Sequence, residues 1–299
     1  MIPSWLIPVM ARIAVANGVF PILLKRITGL HSRTTRFFLQ YLFCVALAIV
    51  ATLTVTSFDL TPLTLMLVVL GAVNALAAYA QWKAVDISLS ATAMFTFWDD
   101  IIAMGLSYVI LHEARSFNPG VALGIALSLG SVVAQVIHTA KRDRVPRLQG
   151  IPLRFYAYVG FYSLIWGVAT FLMKYYGSAG VTSGSFILPW YAGAFLAATG
   201  LLLLRKRPAA DVGLRIGGQG VLIVFFLSAC VIASLALGYW AYRLAPQNVV
   251  QPFFLIGEMI VPALIGFFLF GERKGLDRST AVFFSLAALG GLLIALNYR

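Results

Sequence analysis

Residues 88–111 read SLSATAMFTFWDDIIAMGLSYVIL, and residues 249–270 read VVQPFFLIGEMIVPALIGFFLF. Both runs are predominantly apolar, yet each carries acid near its middle: Asp99 and Asp100 in the first, Glu258 in the second. About 20 apolar residues suffice for a helix to cross ~30 Å of hydrocarbon, so both runs have the length of a membrane span. A carboxylate at the centre of such a helix costs at least about 2.5–3.5 kcal/mol, which makes it a functional candidate. The chain has only ten Asp and Glu among 299 residues, and three of them stand at these expensive positions.

The rest of the chain has the same character. It is 61% hydrophobic and 11% charged, too little charge to cover a soluble surface of this size. Apolar runs of span length recur, and ten are expected: Trp5–Leu24, Thr34–Thr56, Pro62–Trp82, Ser88–Leu111, Asn118–His138, Phe155–Met173, Ser183–Leu204, Gln219–Tyr242, Val249–Phe270 and Asp277–Asn297. The ten-residue alternation of an outer-membrane barrel is not seen. The fold class is therefore an all-α membrane protein.

The +12 net charge does not point to nucleic acid, because the basic residues sit in short loops between spans. Counting loops from the N-terminus, the odd side carries 17 Lys and Arg and the even side, termini included, carries 4. The positive-inside rule then places the odd loops in the cytoplasm and both termini outside, in a multi-pass protein of a bacterial-type inner (plasma) membrane. Cys44 and Cys230 fall within spans and read as small packing residues.

The chain also repeats itself. NGVFPILLK at Asn17–Lys25 matches WGVATFLMK at Trp166–Lys174, with Gly18 over Gly167 and Lys25 over Lys174. Trp82-Lys83-Ala84 matches Tyr242-Arg243-Leu244. Phe95, Asp99 and His112-Glu113 match Phe254, Glu258 and Gly271-Glu272. Five spans per copy is an odd number, so the second copy enters the membrane from the opposite side. The expected organisation is a first five-helix repeat over residues 1–140, a basic linker over 141–152 and a second repeat over 153–299. Inverted repeats of this kind are a transporter architecture, with the site near the midplane.

These motifs resemble the drug/metabolite transporter superfamily, in its ten-helix EamA-type branch. The likeness rests on NGVFPILLK, WGVATFLMK, FFLFGER at Phe267–Arg273, and the small-residue patterns at Gly124–Gly130 and Ala287–Leu293. The resemblance implies a ten-helix transporter. The chain departs from the family pattern where Asp100 and Met259 stand in place of a frequent proline, and in the orientation that its charges predict.

Asp99 and Glu258 are repeat-matched, so a pseudo-twofold axis would bring them to equivalent places around one cavity. Like charge and desolvation both oppose ionising such a pair, and a carboxylate that keeps a proton can exchange it for a cation. Successive helix residues point about 100° apart, so Asp100 need not face the same cavity as Asp99. Arg12 is the one basic residue well inside a span, suited either to neutralise Asp99 or Asp100 or to hold a substrate carboxylate or phosphate. Trp98, Trp190 and Tyr191 lie in mid-span and are candidates to line the cavity, where aromatic faces attract ammonium groups. Trp5, Trp82 and Trp240 are expected as interface anchors. Asn17, Asn74 and Gln135 either contact substrate or bond between helices. Glu113 and Glu272, at span ends, are expected to cap or pair. Pro252, Gly257 and Pro262 should loosen the helix around Glu258.

No phosphate loop, His/Cys metal cluster or nucleophile elbow is present, so neither cofactor, metal nor enzymatic activity is expected. The expected partners are a small-molecule substrate, the lipid bilayer and protons. The function that follows is secondary active transport of a small organic cation, amine or amino acid, with proton coupling through the midplane acids. The alternatives are an uncoupled exporter of neutral amphipathic metabolites and, from another class, an intramembrane enzyme or a structural membrane subunit.

Overall fold

The structure, a computed structural model, describes residues 3–27, 33–88, 92, 95, 97–113, 118–142, 152–204, 217–270 and 277–298. Among them every regular element is helical. The first span is made of α1 (Leu6–Ile13), a π-helical segment (Ala14–Val19) and α2 (Phe20–Ile27). There follow α3 (Arg33–Thr54), α4 (Pro62–Ile87), α5 (Trp98–Ile110), α6 (Pro119–Arg142), α7 (Leu153–Ser178), α8 (Ser183–Leu203), α9 (Gly218–Leu244), α10 (Gln247–Phe270) and α11 (Arg278–Asn297).

Nine helical stretches among the described residues are long and apolar enough to cross a membrane. Their outward faces are apolar as well: Leu53, Leu65, Leu164, Leu196 and Leu292 are all exposed. Such an apolar exterior suits lipid and not water. Helix α5 differs, because it has only 13 residues, roughly 20 Å of helix at 1.5 Å per residue. The sequence predicts one continuous helix over Ser88–Leu111. Instead, tight bonds from Phe95 N–H to the Thr92 carbonyl and from Trp98 N–H to the Phe95 carbonyl mark a turn, and regular helix starts at Trp98. Asp99 and Asp100 therefore occupy a helix's first turn and not its middle, where unbonded N–H groups favour negative charge.

Local chemistry sets the helix starts. Asp277 accepts the Thr280 N–H at 2.8 Å to start α11, and Thr182 accepts the Ser185 N–H at 3.2 Å to start α8. Asn118 caps α6 by accepting the Val121 N–H, and its amide donates to the Asn297 carbonyl at the far end of α11.

The most instructive junction is the turn between α9 and α10. Pro246 has no N–H, so the Tyr242 carbonyl lacks its usual partner four residues on. Lys174 of α7 supplies the missing donor, giving bonds to the carbonyls of Tyr242 at 2.7 Å and Ala245 at 2.9 Å. Glu113, just beyond α5, accepts the first N–H groups of α10, from Gln247 at 3.0 Å and Asn248 at 3.1 Å, and the Asn248 side-chain amide. Cation at a helix C-terminus and anion at a helix N-terminus is the arrangement the helix dipoles favour. The two charges lie 3.9 Å apart. Glu113 thus caps and pairs, as its place at a span end predicts. Glu272 lies outside the described residues.

Packing interleaves the helices before residue 142 with those after residue 153. Helix α4 packs on α8 and α7, α3 on α8 and α9, α5 on α7 and α10, α6 on α11 and α10, and α1 on α9 and α10. Two of these contacts are at backbone distance. A Cβ at Gly71 would meet the Trp190 carbonyl, and one at Gly193 would meet that of Val68, which fixes α4 against α8. Gly124 and Gly290 bring α6 and α11 together in the same way. Gln135 of α6 bonds to Thr280 of α11 at 3.3 Å, the interhelical option for that residue. Trp5 corrects the anchoring expectation: it is buried, edge-on to Phe253 and Tyr298, because α10 and the end of α11 cover it. Trp240 is half exposed, as an anchor would be.

Candidate functional site

A cavity of about 380 Å³ lies among α1, α3, α4, α5, α7, α8, α9 and α10. Its charged lining is Arg12, Asp99 and Glu258. Asn74, Gln81, Thr170 and Ser234 add uncharged polar groups, and Tyr41, Tyr162, Trp166, Trp190, Tyr191 and Tyr242 add aromatic walls. Six residues singled out in the sequence, Asp99, Glu258, Arg12, Asn74, Trp190 and Tyr191, therefore meet in one space. Their positions in the chain run from 12 to 258, so only the helix packing unites them.

The break before Trp98 decides what each residue of the Trp98-Asp99-Asp100 triplet faces. Steps of about 100° send the three to different surroundings. Trp98 points outward, 46% exposed and stacked on Phe97, so it does not line the cavity. Asp99 lines it, and its Oδ1 is buried with no hydrogen-bond partner. Asp100 is buried behind the wall. There the Gln251 amide donates to its carboxylate, while the Tyr242 hydroxyl donates to the Gln251 carbonyl oxygen. Asp100 thus reaches the cavity only through Gln251 and Tyr242. Asn17, on the π-helical segment, is also buried outside the cavity, with its amide against Gly257, where a Cβ would come within 3.0 Å of it.

Glu258 opens to the cavity from α10. Pro262 lacks the N–H that would bond the Glu258 carbonyl, so backbone and side chain are both polar at this level. Helix α10 nevertheless stays continuous through Pro252 and Pro262. Arg12 forms no direct ion pair with Asp99 or Asp100. Among the described residues no carboxylate lies within ion-pair distance of it, and its guanidinium rests 3.6 Å above the Phe254 ring. Its charge acts on Asp99, Asp100 and Glu258 at longer range.

Sequence reasoning missed Gln251, Phe254 and Tyr162. Gln251 had a usable signal, as a polar residue inside an apolar span seven positions before Glu258. Among the described residues no group of three His, Cys, Asp or Glu side chains is placed to hold a metal.

Comparison with known proteins adds fold and nothing finer. No family model matches the chain, and no curated protein matches it. A solved structure described as "Crystal structure of protein" is similar, with a TM-score of 0.72 over 99% of this chain and 98% of that one at 13% identity. At that identity the likeness speaks for the fold alone. Fold and site together define an α-helical, multi-pass membrane protein with a polar, aromatic-walled cavity at its centre.

Proposed function

We propose that this chain is a secondary active transporter of a small organic cation, amine or amino acid, of the drug/metabolite transporter type. The observation that carries the proposal is the central cavity, which reaches the repeat-matched acids Asp99 and Glu258 and draws its walls from both ends of the chain. A structural subunit would pair and bury those acids, whereas Asp99 Oδ1 has no partner and Glu258 is open to the cavity.

In this reading the chain crosses the membrane ten times, with α5 and the segment before it as the fourth crossing. The five spans up to residue 140 and the five from residue 153 are inverted copies joined by the basic linker at 141–152. The packing supports that symmetry. Exchanging the two halves turns the α4–α8 contact into α9–α3, α5–α7 into α10–α1, and α4–α7 into α9–α1, and every one of these pairs is in contact. Asp99 and Glu258 bind the substrate's cationic group or a proton, and the halves rock about them. The excess of basic residues on the odd loops puts both termini outside.

A thermal-shift screen of purified protein with amines, amino acids and nucleotide sugars tests the substrate class. Amines or amino acids should raise the unfolding temperature of the wild type, and raise that of Asp99→Asn by less. Stabilisation by nucleotide sugars alone would refute the class.

A further inference from the structure

The structure assigns Arg12 as an anion-binding subsite of the cavity, so that the preferred substrate carries a carboxylate as well as an ammonium group. This rests on the transport reading above and narrows it to zwitterions.

The guanidinium has a built berth. It rests 3.6 Å over the Phe254 ring, and Tyr242 packs edge-on against the same ring at 5.8 Å. On another side runs the bare backbone of Gly238, where a Cβ would stand 3.3 Å from the Cδ and Nε of Arg12. Stacking holds the plane of a guanidinium and leaves its N–H edge unused. Among the described residues no carboxylate is within ion-pair distance of that edge, and no hydrogen bond to a protein acceptor satisfies it. Arginine stays charged under all ordinary conditions, so a charged group with unused donors lines the cavity without a protein acceptor among the described residues.

Asp99 Oδ1 presents the opposite need. It belongs to a residue that lines the same cavity, and it is buried with no donor among the described residues. A cation bonded directly to the acids would be the simplest neutralisation, yet the chain keeps Arg12 apart from them on a separate aromatic support. One ligand with an ammonium end and a carboxylate end satisfies both. A phosphate dianion fits less well, since a single guanidinium would have to offset it in the presence of Asp99 and Glu258.

Matched ligands test this. L-Phenylalanine, phenethylamine and 3-phenylpropanoate share a ring and chain and differ only in their charged groups. L-Leucine, 3-methylbutylamine and 4-methylpentanoate repeat the comparison. Binding is read on purified wild-type protein by calorimetry and by the fluorescence of the cavity tryptophans. The zwitterion of at least one set should bind about tenfold or more tightly than its amine, the range expected for a charge-assisted bond. Arg12→Gln should abolish that preference, and Phe254→Leu, which keeps the guanidinium but removes the ring beneath it, should reduce it. Asp99→Asn should weaken zwitterion and amine alike. Amines that bind wild type as tightly as their zwitterions would overturn the subsite and leave the transport reading standing. Failure of every ligand to bind would overturn both.

Discussion

Lys174→Met is predicted to damage this protein more than Glu113→Gln, although both remove one charge of the same pair. The two side chains are 11% and 7% exposed and lie 3.9 Å apart. Methionine approximates the length of lysine but donates nothing. It leaves Glu113 as a buried carboxylate without its cation, and strips of their donor both the Ala245 carbonyl and the Tyr242 carbonyl that Pro246 cannot serve. Removing one partner of a buried pair costs about 3–5 kcal/mol. Glutamine at position 113 keeps an oxygen to accept one of the α10 N–H groups, and Lys174 keeps both carbonyls. The expected loss there is about 1–3 kcal/mol, one poorly satisfied buried donor. Because the charges are neighbours, the double variant should lose less than the sum of the singles, by at least about 1 kcal/mol. Equilibrium unfolding with SDS in mixed micelles measures all three. Strictly additive losses, or a Glu113→Gln loss exceeding that of Lys174→Met, would refute the capping account of the α9–α10 turn.

Gly71→Ala should destabilise by about 1–3 kcal/mol or more, because the new Cβ meets the Trp190 backbone, whereas Gly130→Ala, with open space around it, should be near neutral in the same unfolding assay. The Thr280 N–H and the His138 side chain hold the Asp277 carboxyl well below the usual carboxylate range. A depressed folded value stabilises above the unfolded value of about 3.9 and is lost as pH falls through the folded one, so the stability gap between wild type and Asp277→Ala should shrink as pH falls below about 4. A gap that instead grew on acidification would contradict that capping geometry. A reporter fused after Arg299 should read as periplasmic and one inserted at 205–207 as cytoplasmic; the reverse would overturn the orientation and leave the fold intact.

Much of this molecule is legible in its sequence, for a physical reason: crossing a bilayer constrains length and apolarity so tightly that spans announce themselves. The same constraint makes intramembrane acids conspicuous, and the matched motifs align Asp99 with Glu258 in the sequence. What escapes is register. Whether Trp98, Asp99 or Asp100 faces the cavity depends on where helix restarts after Phe95, and no apolar pattern encodes that restart. Trp98 is therefore a cavity candidate by sequence and lies outside the cavity in the fold. Lys174 reads as the last residue of a repeated motif, and its role emerges only when Pro246 is found above it in space. Trp5 reads as an interface residue because it is a tryptophan near a span end, yet α10 and Tyr298 cover it. Arg12 reads either as a counter-ion or as a holder of a substrate anion, and only the packing of Phe254 and Gly238 around it shows where its guanidinium rests.

The central claim is that Asp99 and Glu258 form a transport site that a proton and a substrate can share. Uptake into proteoliposomes of the ligand that most stabilises the wild type, measured against an imposed pH gradient, tests it most directly. Wild type should accumulate that ligand in response to the gradient. Glu258→Gln, which keeps size and hydrogen-bonding capacity without the titratable charge, should lose gradient-driven accumulation while retaining exchange across equal pH. Asp99→Asn should behave likewise, and Asp100→Asn, altered behind the Gln251 and Tyr242 wall, should be milder. Wild-type dependence on the pH gradient in both Glu258→Gln and Asp99→Asn would contradict the account and leave these acids as contacts between helices.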